Sequence, residues 1–109
     1  MSLRSWLLNL SILLFACQQP KEKIATTVGV YHIKTVRHNN GWGYEIKQDE
    51  KTIIRQLSIP SIGGKQSFTT KEDAQKVGLL MAKKLDQKIF PPSISKKELD
   101  SLQVAYSNP

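Results

Sequence analysis

Cysteine is almost missing from this sequence. Cys17 stands alone, so no disulfide can form within the chain, and the fold must be held by burial and hydrogen bonding. Histidine is nearly as scarce: His32 and His38 have no cysteine or carboxylate at a ligand spacing, and a zinc site needs three or four converging ligands. Neither a metal nor a cofactor is expected. No apolar run approaches the roughly 20 residues needed to cross a bilayer. No serine sits in a nucleophile motif, and Gly63-Gly64-Lys65 lacks the rest of the G-x-x-x-x-G-K-[ST] phosphate loop. Glu45, Asp49 and Glu50 are neighbours, but no apolar pocket is evident around them for acid catalysis. The sequence therefore predicts no enzyme. Acids are the scarcer charge, nine Asp and Glu against sixteen Lys and Arg, for a formal charge of +7.

What is present in clearest form is an N-terminal address. Arg4 is the one charge before Cys17. It precedes an apolar stretch, Trp6-Leu7-Leu8 and Ile12-Leu13-Leu14-Phe15-Ala16, interrupted by Asn9 and Ser11. A charged start and a short apolar stretch are the two regions of a secretion signal. Helical in the precursor, residues 5–16 would span about 18 Å, short of a hydrocarbon core of roughly 30 Å. Leu14-Phe15-Ala16-Cys17 resembles the lipobox of bacterial lipoproteins, with an aliphatic residue at −3, a small one at −1, and then the cysteine that is acylated. Phe15 departs from the small or β-branched residue usual at −2. The resemblance implies a signal peptide over residues 1–16 and lipid, palmitate among it, on Cys17. A core thiol is the alternative, and the polar run Gln18-Gln19-Pro20-Lys21-Glu22-Lys23 directly after it disfavours that. Each buried CH2 contributes about 0.8 kcal/mol, so two or three acyl chains make release from a membrane negligible.

Removing residues 1–16 leaves 93 residues and takes Arg4 from the charge, lowering +7 to +6. Residues 17–27 read as a lipidated tether, 28–104 as a single small α+β domain and 105–109 as a tail. A domain of this size buries a little over ~60% of its unfolded surface, which leaves room for one core. Its stability is a few kcal/mol, on the order of 0.05–0.15 kcal/mol per residue. A +6 chain would suit nucleic acid, an anionic membrane face, lipopolysaccharide or an acidic glycan. The bases, however, run from Lys21 to Lys97 mixed with acids, which is the pattern of a solvated surface.

Along the domain, Val28 to Arg37 is rich in β-branched and aromatic residues, as a strand should be. His38-Asn39-Asn40-Gly41 supplies the residues that tolerate φ > 0 in a tight hairpin. Trp42-Gly43-Tyr44-Glu45-Ile46-Lys47 alternates, setting Trp42, Tyr44 and Ile46 on one face and Glu45 and Lys47 on the other. After the polar turn Asp49-Glu50-Lys51, a third strand runs from Thr52 to Ile59 and is stopped by Pro60. Ser61 to Ser67 is a loop, flexible by composition. Thr70 can cap a helix by accepting from the amide of residue 73, with Glu72 and Asp73 beside the positive end of the macrodipole. Ala74, Val77, Gly78, Met81, Leu85 and Ile89 then recur at helical spacing, with Leu80 broadening the stripe, until Pro91-Pro92 ends the helix by Phe90. Ser95-Lys96-Lys97-Glu98 fits a capping box for a short helix through Leu102. The expected fold is α+β: a three-stranded antiparallel meander packed against one C-terminal helix, plus a short extra helix, with one sheet face left open.

Two resemblances bear on these elements. Gly41-Trp42-Gly43-Tyr44-Glu45-Ile46, Ile54-Arg55-Gln56, Ile59-Pro60, Phe68 with Lys71-Glu72-Asp73-Ala74, Pro91-Pro92 and Glu98-Leu99 follow one another in the order of a known family. That set resembles small Gram-negative lipoproteins of Bacteroidetes type that share a domain of unknown function, from about Tyr31 to Leu102. The resemblance implies secretion and a shared fold, and brings no catalytic residues with it. More loosely, strand, turn, strand and then the helix opening at Phe68 to Ala74 is similar to the three-stranded-sheet DNA-binding domains of integrases. A secreted protein meets no genome, so nucleic acid is not the expected partner.

The expected role is that of a lipid-anchored accessory or interaction protein of the cell envelope, at the outer membrane and facing the periplasm or the surface. Its membrane partner is reached through lipid on Cys17. An envelope protein or polymer would meet the open sheet face and the 61–67 loop. Trp42, Tyr44, Lys47, Arg55 and Lys65 are the candidate contact residues, although the face that Trp42 and Tyr44 share with Ile46 favours a core role for both. The alternative is polyanion or nucleic-acid binding by Lys34, Arg37, Lys47 and Arg55 on a basic sheet.

Overall fold

A computed structural model describes residues 24–107. The signal segment, Cys17 and the tether as far as Lys23 lie outside the described residues, as do Asn108 and Pro109. The architecture is α+β. Strands β1 (Thr27–Val28), β2 (Tyr31–His38), β3 (Gly41–Gln48) and β4 (Lys51–Gln56) form one antiparallel sheet in the order β1-β2-β3-β4, followed by helices α1 (Lys71–Asp86) and α2 (Lys96–Ser101).

The sheet thus has four strands where the sequence predicts three. Gly29, at φ 57°, turns the chain with Val30 inside what reads as one continuous strand. Val28 folds back to face Tyr31, and the Ile33 amide donates to the Thr26 carbonyl at 2.7 Å. Thr26 and Thr27, expected in the tether, are therefore tied to the body. The two hairpins fall where the polar pairs stand. Asn39 and Asn40, then Asp49 and Glu50, all have positive φ, the backbone a two-residue turn with matching twist requires.

β4 is shorter than expected, ending at Gln56 rather than Ile59. The Gln56 side-chain amide donates to the Ser58 carbonyl at 2.7 Å, and beyond it Phe68 takes over as the neighbour of β3. Trp42 and Phe68 exchange two backbone hydrogen bonds of 2.9 Å each. The loop between is largely packed down: Ile59 and Ile62 are buried, Ser61 donates its hydroxyl to the Ile94 carbonyl, and the Ile59 amide donates to the Gln66 carbonyl.

α1 begins as the sequence predicts, with Thr70 Oγ1 accepting from the Asp73 amide at 3.1 Å. Ala74, Val77, Gly78, Met81, Ala82 and Leu85 are buried against Ile33, Tyr44, Ile46 and Phe68. The helix stops at Asp86, sooner than expected. Lys88 adopts φ 61°, its amide donates to Leu85 O, and the Ile89 amide donates to Lys84 O, the two bonds of a left-handed helix end. Ile89, predicted on the apolar stripe, is consequently 45% exposed.

α2 has the predicted capping box at Ser95 and Glu98, and Leu99 is buried. The C-terminal segment is fastened by side chains. Asp73 Oδ2 accepts from the Ala105 amide, Lys76 Nζ donates to the Leu102 carbonyl, and the Gln66 amide group pairs with both backbone polar groups of Ser107. Residues 105–107, expected as tail, are hydrogen-bonded to the domain.

Candidate functional site

In an antiparallel sheet, residues directly opposite each other share a face. The register sets Ile33, Ile46 and Ile54 in one row and Thr35, Tyr44 and Gln56 in the next, the rows that α1 covers. Lys34, Glu45 and Arg55 form a row on the opposite, outer face, with His32, Lys47 and Thr52 beside them. His32, Lys34, Thr52 and Arg55 are exposed. Arg55 Nε lies 3.5 Å from Glu45 Oε2; the arginine side chain is 63% exposed and the glutamate 13%. A pair so open to water contributes at most about 1 kcal/mol. The row thus displays cation, carboxylate, cation, with Glu45 held low between longer side chains.

The candidate residues do not converge on one surface. Tyr44 is fully buried and packs 6.1 Å from the Phe68 ring, so it presents nothing to a partner and leaves the candidate set as a core residue. Burial raises its phenol above the ordinary value of 10.0, and its hydroxyl has no hydrogen-bond partner among the described residues. Trp42 is half-buried on the helix side of the sheet. Lys47 and Arg55 are on the outer face, half-buried and exposed respectively. Lys65 is exposed at the one free stretch of its loop, beside Gly63 and Gly64. Arg37 does not join Lys34, Lys47 and Arg55. It sits opposite Trp42 on the helix side, its guanidinium carbon 5.0 Å from the indole centroid.

The second cation at Trp42 comes from a residue that the sequence offered only as part of a helix start and a family motif, not as a contact residue. Lys71, the first residue of α1, holds Nζ 5.9 Å from the same ring. The bridge between Trp42 and Phe68 sets the chain just before α1 beside β3, and no periodicity in the sequence announces that pairing.

His32 and His38 stand at opposite ends of β2. Among the described residues no group of three or more His, Cys, Asp or Glu side chains could hold a metal ion, and no helix is long and apolar enough to cross a membrane. The ion pairs away from the sheet are structural: Lys84 Nζ lies 2.7 Å from Glu98 Oε2 and joins α1 to α2, and Lys76 Nζ lies 3.2 Å from Asp73 Oδ1.

No curated protein and no solved structure matches the chain. A family match does extend over residues 34–101, from within β2 to the end of α2 and more than half of the sequence. The chain belongs to the family described as Domain of unknown function (DUF4907).

Proposed function

We propose that the mature protein is a lipid-anchored accessory or interaction module of the cell envelope, without catalysis of its own. In this proposal residues 1–16 are removed, Cys17 carries the lipid, and the domain is held at the outer membrane of a Gram-negative cell, facing the periplasm or the surface. The observation that carries the interaction role is the outer sheet face, where Lys34, Glu45, Arg55 and Lys47 stand together with no helix of the described residues over them. A face of alternating charge favours a partner of mixed charge, an envelope protein or polymer, because complementary charges set register and suppress wrong partners.

The test begins with mass spectrometry of the membrane fraction from the native host, wild type beside Cys17→Ala. An acylated Cys17 at the new N-terminus, and loss of the variant from membranes, support the proposal. An intact, unlipidated and soluble chain ends it. Mild crosslinking in cells then tests the interaction: a wild-type product that disappears in Lys34→Glu/Arg55→Glu identifies the outer face as the contact, whereas a domain that crosslinks to nothing removes the interaction role.

The three bases sharing that face also favour a second reading, capture of a polyanion. Counterion release makes such binding weaken steeply with salt. An affinity for heparin that is indifferent to added salt would rule it out.

A further inference from the structure

We propose that Arg37, Trp42 and Lys71 form a membrane-contact patch that binds the anionic phosphate headgroups of the bilayer holding the chain, an inference that rests on lipid attachment at Cys17. Arg37 and Lys71 are exposed and Trp42 half-buried, with the guanidinium carbon 5.0 Å and the ammonium 5.9 Å from the indole centroid. Neither cation forms an ion pair with a described carboxylate; the three ion pairs among the described residues use other side chains. Glu72 is exposed next to Lys71 in sequence, but it lies about 100° further round the helix. Two positive charges are therefore gathered on one aromatic ring and left without a counter-charge. An indole with a polar edge, flanked by side chains whose apolar stems lie flat while their charged ends reach outward, suits the headgroup level of a bilayer. The guanidinium fork matches the geometry of a phosphate.

The path of the chain selects this occupant. Gly29 lies against Asp86 near the end of α1, whereas the carbonyls of Ile24 and Ala25 both accept from Gln75 Nε2 at 3.2 Å. Followed back towards its N-terminus, the chain runs along α1 towards the start of that helix. Gln75 is one turn, about 6 Å of rise, from Lys71. The seven residue steps from Cys17 to Ile24 reach no further than roughly 25 Å. Lipid on Cys17 thus keeps the end of the domain that carries Arg37, Trp42 and Lys71 close to the bilayer. The opposite end, where Val30, Ile89 and Phe90 are exposed, then faces away and is free for a partner.

Trp6 leaves with the signal segment, so Trp42 is the only tryptophan of the mature protein and reports on its own surroundings. The lipidated protein, purified from membranes, would be reconstituted into phosphatidylcholine vesicles with or without phosphatidylglycerol, and acrylamide quenching of Trp42 fluorescence measured after flotation. Phosphatidylglycerol is expected to lower the quenching at least about twofold, with added salt restoring it, because exposed charges are screened within about 10 Å at 0.1 M. An anionic surface attracts each nearby Lys or Arg about fivefold. Arg37→Gln with Lys71→Gln should abolish the protection, while Lys34→Gln with Arg55→Gln on the outer face should retain it. All four positions are exposed, and unchanged circular dichroism would show that each variant folds. Equal quenching in both vesicle types by a protein that floats overturns the patch and leaves the anchor standing, as does protection that survives Arg37→Gln/Lys71→Gln. A protein that carries no lipid and fails to float overturns the anchor and the patch together.

Discussion

Gly78 of α1 lies directly over Tyr44 of β3: a Cβ built on the glycine would stand 3.1 Å from Tyr44 Cγ and 2.8 Å from Ile33 Cγ2. The helix can approach the sheet this closely only because residue 78 has no side chain. A glycine inside a helix costs about 1 kcal/mol relative to alanine. Here that cost is offset by the contact it permits between α1 and the rows holding Ile33, Tyr44 and Ile46.

Gly78→Ala should therefore destabilise the domain despite the better helix propensity of alanine. Forcing a methyl into a filled core costs about 1–3 kcal/mol, more than propensity returns. A lower urea midpoint at unchanged slope would show it. A raised midpoint would mean that helix and sheet separate without penalty.

Tyr44 sets the response to alkali. Its folded-state pKa lies above the ordinary 10.0, so the native protein keeps a proton that the unfolded chain releases. The stability involved is complete below pH 10 and falls as pH rises above it, by up to about 1.4 kcal/mol per pH unit. Tyr44→Phe should flatten that fall in denaturation curves taken from pH 8 upward. Near neutral pH the same change should be neutral or slightly stabilising, since the hydroxyl it removes is buried without a partner.

Asp73 is the one buried carboxylate among the described residues, and it holds the C-terminal segment through Ala105 and Lys76. Asp73→Ala leaves the Ala105 amide without its acceptor and the Lys76 ammonium with the Leu102 carbonyl alone, and should cost about 1–3 kcal/mol. Hydrogen exchange at Ala105 should quicken more than exchange in β3. Uniform quickening would mean that Asp73 supports the whole domain rather than this segment in particular.

Glu98 should govern part of the acid response. Hydrogen bonding from the Lys84 ammonium, and then from the Ser95 amide, holds its carboxyl below the ordinary 4.5. The stability from this group is present above that value and is lost as pH falls through the lowered one. Glu98→Gln should be less stable than wild type at neutral pH, with a shallower loss on acidification. Parallel acid curves would assign the response to other carboxylates.

Ile89 and Leu85 separate the helix as its spacing predicts from the helix as it forms. Leu85 is buried, and Leu85→Ala should cost about 2–5 kcal/mol. Ile89→Ser lies past the helix end and should change stability by less than about 0.5 kcal/mol. A large loss at Ile89 would place that side chain in the core.

By itself the sequence determined whatever depends on near neighbours. Asn39-Asn40 and Asp49-Glu50 fix the hairpins, because few residues tolerate left-handed backbone. Thr70 and Ser95 fix the helix starts, because their hydroxyls reach an amide three residues on. The alternation from Trp42 to Lys47 correctly placed Tyr44 and Ile46 inside, although it could not show which surface would stay bare. The tertiary structure decided what depends on distant partners. Two residues before Gly29 make a fourth strand only because β2 offers them an unpaired edge. Phe68 replaces the end of β4 beside Trp42 across a loop whose length carries no pairing signal. Trp42 meets Lys71 where that bridge and the packing of α1 on β3 bring the two together, whereas the parting of Arg37 from Lys34 follows from alternation within one strand and was already legible. Local backbone preference is written residue by residue, whereas a shared surface between segments 30 residues apart exists only after the core has closed.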